Sequence, residues 1–205
     1  MSRSEFLRKT DVSRETLERL DIYAELLRKW TAKINLVAAS TLEELWIRHF
    51  LDSVQLLALA PHGRHWVDLG SGGGFPGAVV AVLAREIHPE TAFTLVEADQ
   101  RKAAFLRNVF RETEVKGKVI AARAEKIASL HANILSARAL APLSNLLEFS
   151  ERHIATDGCA LFLKGKKANE EIAQALEHWR FDCETHVSKT DEDAVILKIG
   201  AIERV

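Results

Sequence analysis

The residues best suited to chemistry form one glycine-rich segment, Asp68–Gly77, which reads DLGSGGGFPG. Glycines adopt positive φ angles easily and let a ligand lie directly against the backbone. An apolar strand signal over His65–Leu69 leads into this segment, and an apolar helical run over Ala78–Leu83 follows it. The first turn of such a helix has unpaired N–H groups that can bind a ligand. Strand, glycine turn and helix in this order predict a site for a nucleotide-type cofactor.

The glycines of this segment fit two patterns, which predict different cofactors. Gly72, Gly74 and Gly77 fit the dinucleotide pattern GxGxxG. Asp68 and Gly70, with the glycines that follow at alternate positions, fit the D-x-G-x-G-x-G turn typical of S-adenosylmethionine-dependent methyltransferases. A carboxylate at the strand end suits a cofactor with an ammonium group, whereas it would repel a pyrophosphate. This charge argument favours S-adenosyl-L-methionine over a nicotinamide dinucleotide.

Further candidate binding residues follow the other predicted strands, because parallel sheets bind their ligands at the carboxyl ends of the strands. Glu97 ends the second strand, where a carboxylate can accept hydrogen bonds from both ribose hydroxyls of a nucleoside. Ala124 and Glu125 follow the third strand, where a backbone N–H and a side chain could read an adenine. The alternative for Glu125 is an ordinary acid in a first helical turn. Arg138 ends the fourth strand and could hold a carboxylate through a bidentate bond.

The elements that must position these residues alternate between strand and helix from residue 64 to 205, which is the pattern of an α/β fold. The predicted strands cover 65–69, 91–97, 115–121, 132–137, 158–163, 181–189 and 194–199. Five predicted βα units, the last with a helix over 168–179, precede a terminal hairpin. We therefore expect a Rossmann-like class I methyltransferase domain. Its mostly parallel seven-stranded sheet should contain one antiparallel strand.

Residues 1–63 carry helical patterns instead, and we predict that they form an N-terminal helical cap on the domain at 64–205. Ser13 is placed to cap a first amphipathic helix that extends to Thr31. Two capping-box patterns, S-x-x-E and T-x-x-E, then predict a second helix over 42–59.

The second of these helices is apolar on most sides, but His49 and Ser53 interrupt its apolar surface. Polar groups in such a place must be solvated, paired or functional. In one interpretation both side chains cap a neighbouring element or face water. In the other, the helix covers the cofactor crevice and offers His49 or Ser53 to it, which makes His49 a candidate substrate contact.

Composition narrows the classes of protein. The chain has 205 residues and a formal net charge of −1, so any RNA binding must come from a local patch. Cys159 and Cys183 are far apart and lack CxxC spacing, which argues against a structural zinc or a disulfide scaffold. The N-terminus has no signal-peptide core, and no apolar run reaches membrane-spanning length. We expect a cytoplasmic monomer without a metal ion or a membrane partner.

Two groups of cations are candidates for contacts with RNA. One lies on a single predicted helix and consists of Arg101, Lys102, Arg107 and Arg111. The other flanks Gly165 at the mouth of the crevice and consists of Lys164, Lys166 and Lys167. Charges on a helix are usually a solvated face, so we favour the second group and name Lys164 and Lys166 as substrate contacts.

Motifs in a fixed order extend from residue 35 to 165. They are Asn35-Leu36, Arg48–Ser53, Asp68–Gly77, Leu95–Glu97, Arg101-Lys102, Phe105-Leu106, Ala122–Glu125, Ser136–Ala139 and Leu163–Gly165. This set resembles the glucose-inhibited division protein B family, whose members are bacterial methyltransferases acting on N7 of a guanine in 16S ribosomal RNA. One departure is Val37, which stands where the family usually carries a threonine.

The resemblance implies S-adenosyl-L-methionine as the cofactor and 16S ribosomal RNA, or the small-subunit particle, as the partner. It also implies cofactor contacts at Gly70, Phe75, Ala124, Glu125 and Arg138. Gly72 and Glu97 join them on the arguments from the glycine turn and the second strand.

The residues agree with methyl transfer to guanine N7. That nitrogen carries a free lone pair, so the enzyme needs alignment and no general base, and no catalytic residue is assigned. The rate should then change little with pH around neutrality, and His49 is the side chain best able to break this expectation.

The alternatives are a methyltransferase for a small molecule, a nicotinamide oxidoreductase and a non-catalytic ribosome-assembly factor that binds RNA. The sequence argues against the oxidoreductase, because its only tyrosine, Tyr23, lies outside the predicted domain and so no Tyr-x-x-x-Lys pair is available there.

Overall fold

The computed structural model describes residues 3–205, with Ala39 described by its backbone only, so residues 1 and 2 of the predicted cap lie outside it. The strands are β1 His65–Leu69, β2 Ala92–Val96, β3 Gly117–Ile120, β4 Ala132–Arg138, β5 Ile154–Lys164, β6 Trp179–Val187 and β7 Val195–Arg204. They form one sheet in the order β3-β2-β1-β4-β5-β7-β6. Strands β1 to β5 are parallel, and β7 is antiparallel to both of its neighbours. The predicted mostly parallel sheet with one antiparallel strand is confirmed.

Seven α-helices are present among the described residues. They are α1 Arg3–Lys9, α2 Arg14–Thr31, α3 Asp52–Leu59, α4 Gly77–Ile87, α5 Gln100–Glu112, α6 Leu143–His153 and α7 Ala168–Ala175. The Ser13 side chain caps α2 as predicted, accepting from Thr16 N at 3.1 Å. Within residues 3–205, no helix is long and apolar enough to cross a membrane.

The segment before α3 differs from the single helix predicted over 42–59. A π-helix over Leu45–Leu51 runs directly into α3, and no side chain caps its start. The Thr41 hydroxyl donates to Ala38 O at 2.8 Å, and the residue at the N-cap position of the π-helix is Glu44, which makes no side-chain capping bond. π-Helical turns are rare and occur frequently at functional sites.

The C-terminal elements also depart from their predicted bounds. Helix α7 ends at Ala175, before the predicted end at residue 179, and Trp179 begins β6. The Trp179 ring is buried in the core, and the Arg204 guanidinium lies 4.8 Å above it. Four βα units form where five were predicted, because only a short 3-10 turn over Ala124–Lys126 lies between β3 and β4.

The N-terminal helices share a hydrophobic core with one face of the sheet. Helix α2 packs on α4 and α5, and α3 packs on α4. Buried residues from both parts, including Leu20, Phe50, Trp66 and Phe105, belong to one cluster. A second cluster fills the opposite face under α6 and α7. The successive strand residues Trp66 and Val67 belong to different clusters, as the alternation of side chains along a strand requires.

Candidate active site

The carboxyl ends of the parallel strands open into a cleft of about 1320 Å³. Strands β1 and β4 are the neighbours at which the strand order reverses, and ligands of such sheets bind at this switch point. All seven residues predicted to bind the cofactor line the cleft, namely Gly70, Gly72, Phe75, Glu97, Ala124, Glu125 and Arg138. His49 and Lys164, two of the predicted substrate contacts, also line it.

The glycine turn adopts backbone angles that other residues rarely take. Gly70, Gly72 and Gly74 have φ angles of 63°, 56° and 94°. A Cβ added to Gly70 would lie 2.5 Å from Leu140 Cδ1, whereas a Cβ at Gly72 would meet only Gly70 O, at 3.8 Å. Gly72 therefore presents bare backbone and open space to the cleft, as a cofactor cradle requires.

Asp68 lies behind the glycine turn and does not line the cleft. Its side chain is completely buried against Gly77, where an added Cβ would overlap it. Ser136 Oγ donates to Asp68 Oδ1 at 2.6 Å, and Trp66 Nε1 donates to the same Ser136 oxygen at 2.9 Å. Burial raises the pKa of Asp68 to about 6, although the Ser136 hydrogen bond opposes the shift. Asp68 therefore braces the turn and the start of α4 from behind, and the structure does not place it among the residues that line the cleft.

The Glu97 carboxylate, one residue beyond β2, holds the glycine turn in place. Its Oε2 accepts from Gly72 N at 2.8 Å, and its Oε1 accepts from Asp99 N at 2.8 Å. Each carboxylate oxygen has a further lone pair. Glu97 therefore keeps the capacity to accept hydrogen bonds from a ligand in the cleft.

Ala124 and Glu125 begin the 3-10 turn that follows β3. Ala124 is buried, with its carbonyl oxygen 3.0 Å from His153 Nε2. Glu125 Oε1 lies 3.8 Å from Arg123 Nη1. Because β2 and β3 are neighbours, this turn and Glu97 form the same end of the cleft.

Arg138 joins the end of β4 to the N-terminal segment. Its Nη1 donates to Arg48 O at 3.2 Å and to Asp52 Oδ2 at 3.3 Å. Its Nη2 donates to His49 Nδ1 at 2.7 Å, so the other ring nitrogen of a neutral histidine, Nε2, donates to Thr41 Oγ1 at 3.0 Å. Burial lowers the pKa of Arg138, and the neighbouring Asp52 charge opposes that shift.

His49 is therefore an uncharged structural partner of the guanidinium. Burial, followed by the charges of Arg138 and Arg48, lowers the pKa of His49 to about 3. The ring stays neutral throughout the neutral pH range, and both of its nitrogens are engaged. No lone pair of His49 is left to take a proton from a substrate.

Phe75 fills the space between the glycine turn and the N-terminal segment. Its ring stacks on His49 with centroids 4.7 Å apart and on Tyr23 at 5.9 Å, and the Arg138 guanidinium lies 4.9 Å above it. The Tyr23 hydroxyl donates to Gly73 O at 2.5 Å. These contacts tie the backbone of the glycine turn to α2 and to the π-helix.

Two residues of this arrangement were absent from the predicted site. Tyr23 carries no sequence signal for this site, because it lies outside the predicted domain at 64–205 and contacts the glycine turn only once α2 is packed there. Asp52 accepts from Thr190 Oγ1 at 2.9 Å and from Ser188 Oγ at 3.3 Å, in addition to Arg138. The sequence does carry a signal for Asp52, because this residue belongs to the Arg48–Ser53 motif.

Lys164, at the end of β5, is paired within the protein. Its Nζ donates to Ala141 O at 3.0 Å and lies 2.5 Å from Glu171 Oε2. The same Glu171 oxygen accepts from Leu143 N, at the start of α6, at 2.7 Å. The pair thus joins β5, α6 and α7 at one side of the cleft.

The remaining cations divide between the cleft and the outer surface. Lys102 and Lys167 line the cleft, and Lys166 is exposed beside it. The other cations of α5, Arg101, Arg107 and Arg111, do not line it. Among residues 3–205, no group of three or more His, Cys, Asp and Glu side chains is arranged to hold a metal ion.

The fold matches that of solved methyltransferases. A solved S-adenosylmethionine-dependent methyltransferase from Aquifex aeolicus matches with a TM-score of 0.58 at 13% identity, over 86% of this chain and 97% of that one. TYW2 of M. jannaschii, solved in complex with AdoMet, matches with a TM-score of 0.58 at 13% identity, over 85% and 80%. The fold is that of the class I S-adenosylmethionine-dependent methyltransferases.

Sequence comparison identifies the family within this class. A family model described as rRNA small subunit methyltransferase G matches residues 16–195. Ribosomal RNA small subunit methyltransferase G of Ruegeria sp. (strain TM1040) is 52% identical over 195 residues, which cover 95% of each chain. The chain belongs to the rRNA small subunit methyltransferase G family, a family of S-adenosylmethionine-dependent rRNA methyltransferases. The resemblance drawn from the sequence motifs is confirmed.

Proposed function

We propose that this protein transfers a methyl group from S-adenosyl-L-methionine to N7 of one guanine in 16S ribosomal RNA of the small subunit. The observation that carries the proposal is the family match over residues 16–195, within which the glycine turn and the strand-end residues line one cleft. We further propose that the protein acts in the cytoplasm as a monomer.

The side chains of the cleft fit this cofactor. Gly72 leaves open space beside bare backbone, and Glu97 keeps lone pairs for ribose hydroxyls. Arg138 has five N–H donors, of which its protein partners leave enough to bind the methionine carboxylate. The turn at Ala124 and Glu125 is suited to the adenine. At about 1320 Å³ the cleft exceeds the roughly 300–1,000 Å³ of a small-ligand site, which leaves room for a nucleobase beside the cofactor.

The mechanism that we propose needs alignment and no proton transfer. When bound, S-adenosyl-L-methionine supplies an electrophilic methyl group. Guanine N7 is a free lone pair at neutral pH, so the protein has only to hold the two reacting atoms in line and keep water away. His49 suits this scheme, because it is neutral and serves to orient Arg138.

The test is a map of modified nucleotides in small-subunit RNA from cells with and without the protein, read by mass spectrometry after nuclease digestion. We expect one N7-methylated guanosine to be lost without the protein and restored by purified protein with S-adenosyl-L-methionine. Incubation with naked RNA and with assembled subunits, in parallel, identifies the preferred substrate. Identical maps would contradict the proposal and favour a small-molecule methyltransferase or a non-catalytic assembly factor.

A further inference from the structure

We propose that Leu140 and the Lys164–Glu171 ion pair form the subsite that recognises the target base as guanine. The inference rests on the proposed function, because it assigns roles toward the RNA base within the same cleft.

An apolar platform lies next to the glycine turn. Leu140 lines the cleft and is 37% exposed, and its Cδ1 packs against Gly70, at 2.5 Å from where a Cβ would stand. The preceding residue, Ala139, has a φ angle of 53°, which alanine rarely adopts and which recurs at functional sites. This backbone carries Leu140 from the end of β4 over the end of β1. A flat base lying on Leu140 would therefore be next to the cofactor cradle.

The ion pair lies on the other side of this platform. Lys164 donates to Ala141 O, and Ala141 directly follows Leu140. The side chains of Lys164 and Glu171 are only 8% and 22% exposed, yet both residues line the cleft. Strands β1, β4 and β5 are adjacent, so the end of β5 is two strand spacings, roughly 10 Å, from Gly70.

Guanine and this pair are chemically complementary. Guanine has an acceptor, O6, next to N7, and donors at N1 and at the exocyclic N2 beyond it. The Lys164 ammonium has three donors and uses two in the protein, which leaves one for O6. Glu171 Oε1 accepts no hydrogen bond from the described residues and can accept from N1–H and N2–H. Adenine has a donor at position 6 and an acceptor at N1. It would therefore place a donor against the Lys164 ammonium and an acceptor against the Glu171 carboxylate, and these groups would stay unpaired.

A loss of activity alone would not establish this role, because Glu171 also accepts the N–H of Leu143 at the start of α6. The test therefore changes the protein and the substrate together. Inosine lacks only the N2 amine of guanosine, so it removes one of the proposed hydrogen bonds to the carboxylate. A residue that merely supports the fold would not change the preference between the two nucleosides.

The experiment compares wild-type protein, Glu171→Gln and the control Glu177→Gln, which makes the same charge change at an exposed position just after α7 that does not line the cleft. The methylated position is first mapped with wild-type protein, and small-subunit RNA is then assembled with guanosine or inosine there. We expect wild-type kcat/KM to favour guanosine by about tenfold, as a hydrogen bond to a charged group predicts. In Glu171→Gln this preference should fall to about twofold or less, whereas Glu177→Gln should keep it.

A Glu171→Gln protein that is slow but keeps the wild-type preference for guanosine would overturn the inference. Glu171→Asp, which keeps the carboxylate but shortens its reach, is measured in parallel and decides the matter if Glu171→Gln does not fold. It should show a reduced preference, and an unchanged one would again overturn the inference. Failure of the wild-type protein to methylate guanine at all would contradict the proposed function itself, and the mapping step detects this first.

Discussion

At the scale of single residues, the cleft separates groups that face a ligand from groups that hold them in place. Gly72 and Glu97 face the cleft, whereas Asp68 and His49 support it from behind or from the side. Burial disfavours the charged form of both supporting residues, so it raises the pKa of Asp68 to about 6 and lowers that of His49 to about 3. The burial of Asp68 and His49 is thus electrostatically unfavourable, but the contacts of these two side chains hold the glycine turn and Arg138 in place.

Gly72→Ala tests the cofactor cradle. The φ angle of 56° makes an L residue unfavourable by roughly 1–2 kcal/mol, but the added methyl group meets no close neighbour, so the protein should fold. The methyl group would occupy the path of the cofactor, and affinity for S-adenosyl-L-methionine should fall about tenfold or more. Calorimetry measures the affinity, with Gly200→Ala as a control at another glycine with open space. Wild-type affinity in Gly72→Ala would contradict the assignment of the site.

The shifted pKa of His49 makes stability depend on pH. Between pH 6.5 and about 3, His49 binds a proton in the unfolded chain but not in the folded protein. The free energy of unfolding therefore falls as the pH is lowered through this window. Asp68 acts in the opposite sense between about 6 and 3.8, because the folded state keeps a proton that the unfolded chain releases. On acidification from pH 7 to pH 5, His49→Gln should therefore lose about 2 kcal/mol less free energy of unfolding than wild type.

Urea unfolding at the two pH values measures this difference. The control is His178→Gln, at an exposed histidine outside the cleft, which should behave like wild type. Equal losses in His49→Gln and wild type would show that the folded His49 takes up its proton normally.

At the scale of elements, the sequence predicts the strand ends and α2 well but the segment between α2 and α3 poorly. Apolar runs and glycines are local signals, and they suffice to find Glu97 and Arg138 at the ends of β2 and β4. The π-helix over Leu45–Leu51 and the hydrogen bond from Tyr23 to the glycine turn depend on packing between distant parts of the chain. No local sequence pattern predicts such packing. The end of α7 at Ala175 is missed for the same reason, because it depends on the burial of Trp179 in the core.

Tyr23 provides a direct measurement of that packing, because it is the only tyrosine in the chain. Burial raises the pKa of its hydroxyl well above the usual value. Phenolate absorbance should therefore be absent at pH values where a free tyrosine is ionised, and it should appear only together with loss of the circular dichroism signal. The urea-unfolded protein, the control, should titrate near pH 10. A normal titration in the folded protein would mean that α2 does not cover the glycine turn.

At the scale of the whole molecule, the N-terminal segment and the sheet are connected through both the core and the site. The ring of Tyr23 lies 5.3 Å from that of Phe50 and 5.9 Å from that of Phe75, so one aromatic cluster spans both parts. The ion pair between Asp52 and Arg138 makes a second connection at the cleft. The division into a cap at 1–63 and a domain at 64–205 stays a prediction, and this shared packing argues that neither part is stable alone.

Truncation tests this last inference. A chain of residues 64–205 would expose the apolar faces of α4 and α5 that α2 and α3 cover, a surface far more apolar than soluble domains tolerate. We expect the full chain to unfold in one calorimetric transition with equal van't Hoff and calorimetric enthalpies. The truncated chain should show no cooperative transition and no binding of S-adenosyl-L-methionine, and co-expression with residues 1–63 should restore both. Cooperative unfolding and wild-type cofactor affinity in residues 64–205 alone would instead establish the N-terminal segment as a separable cap, and Tyr23 and Asp52 would lose their role in shaping the site.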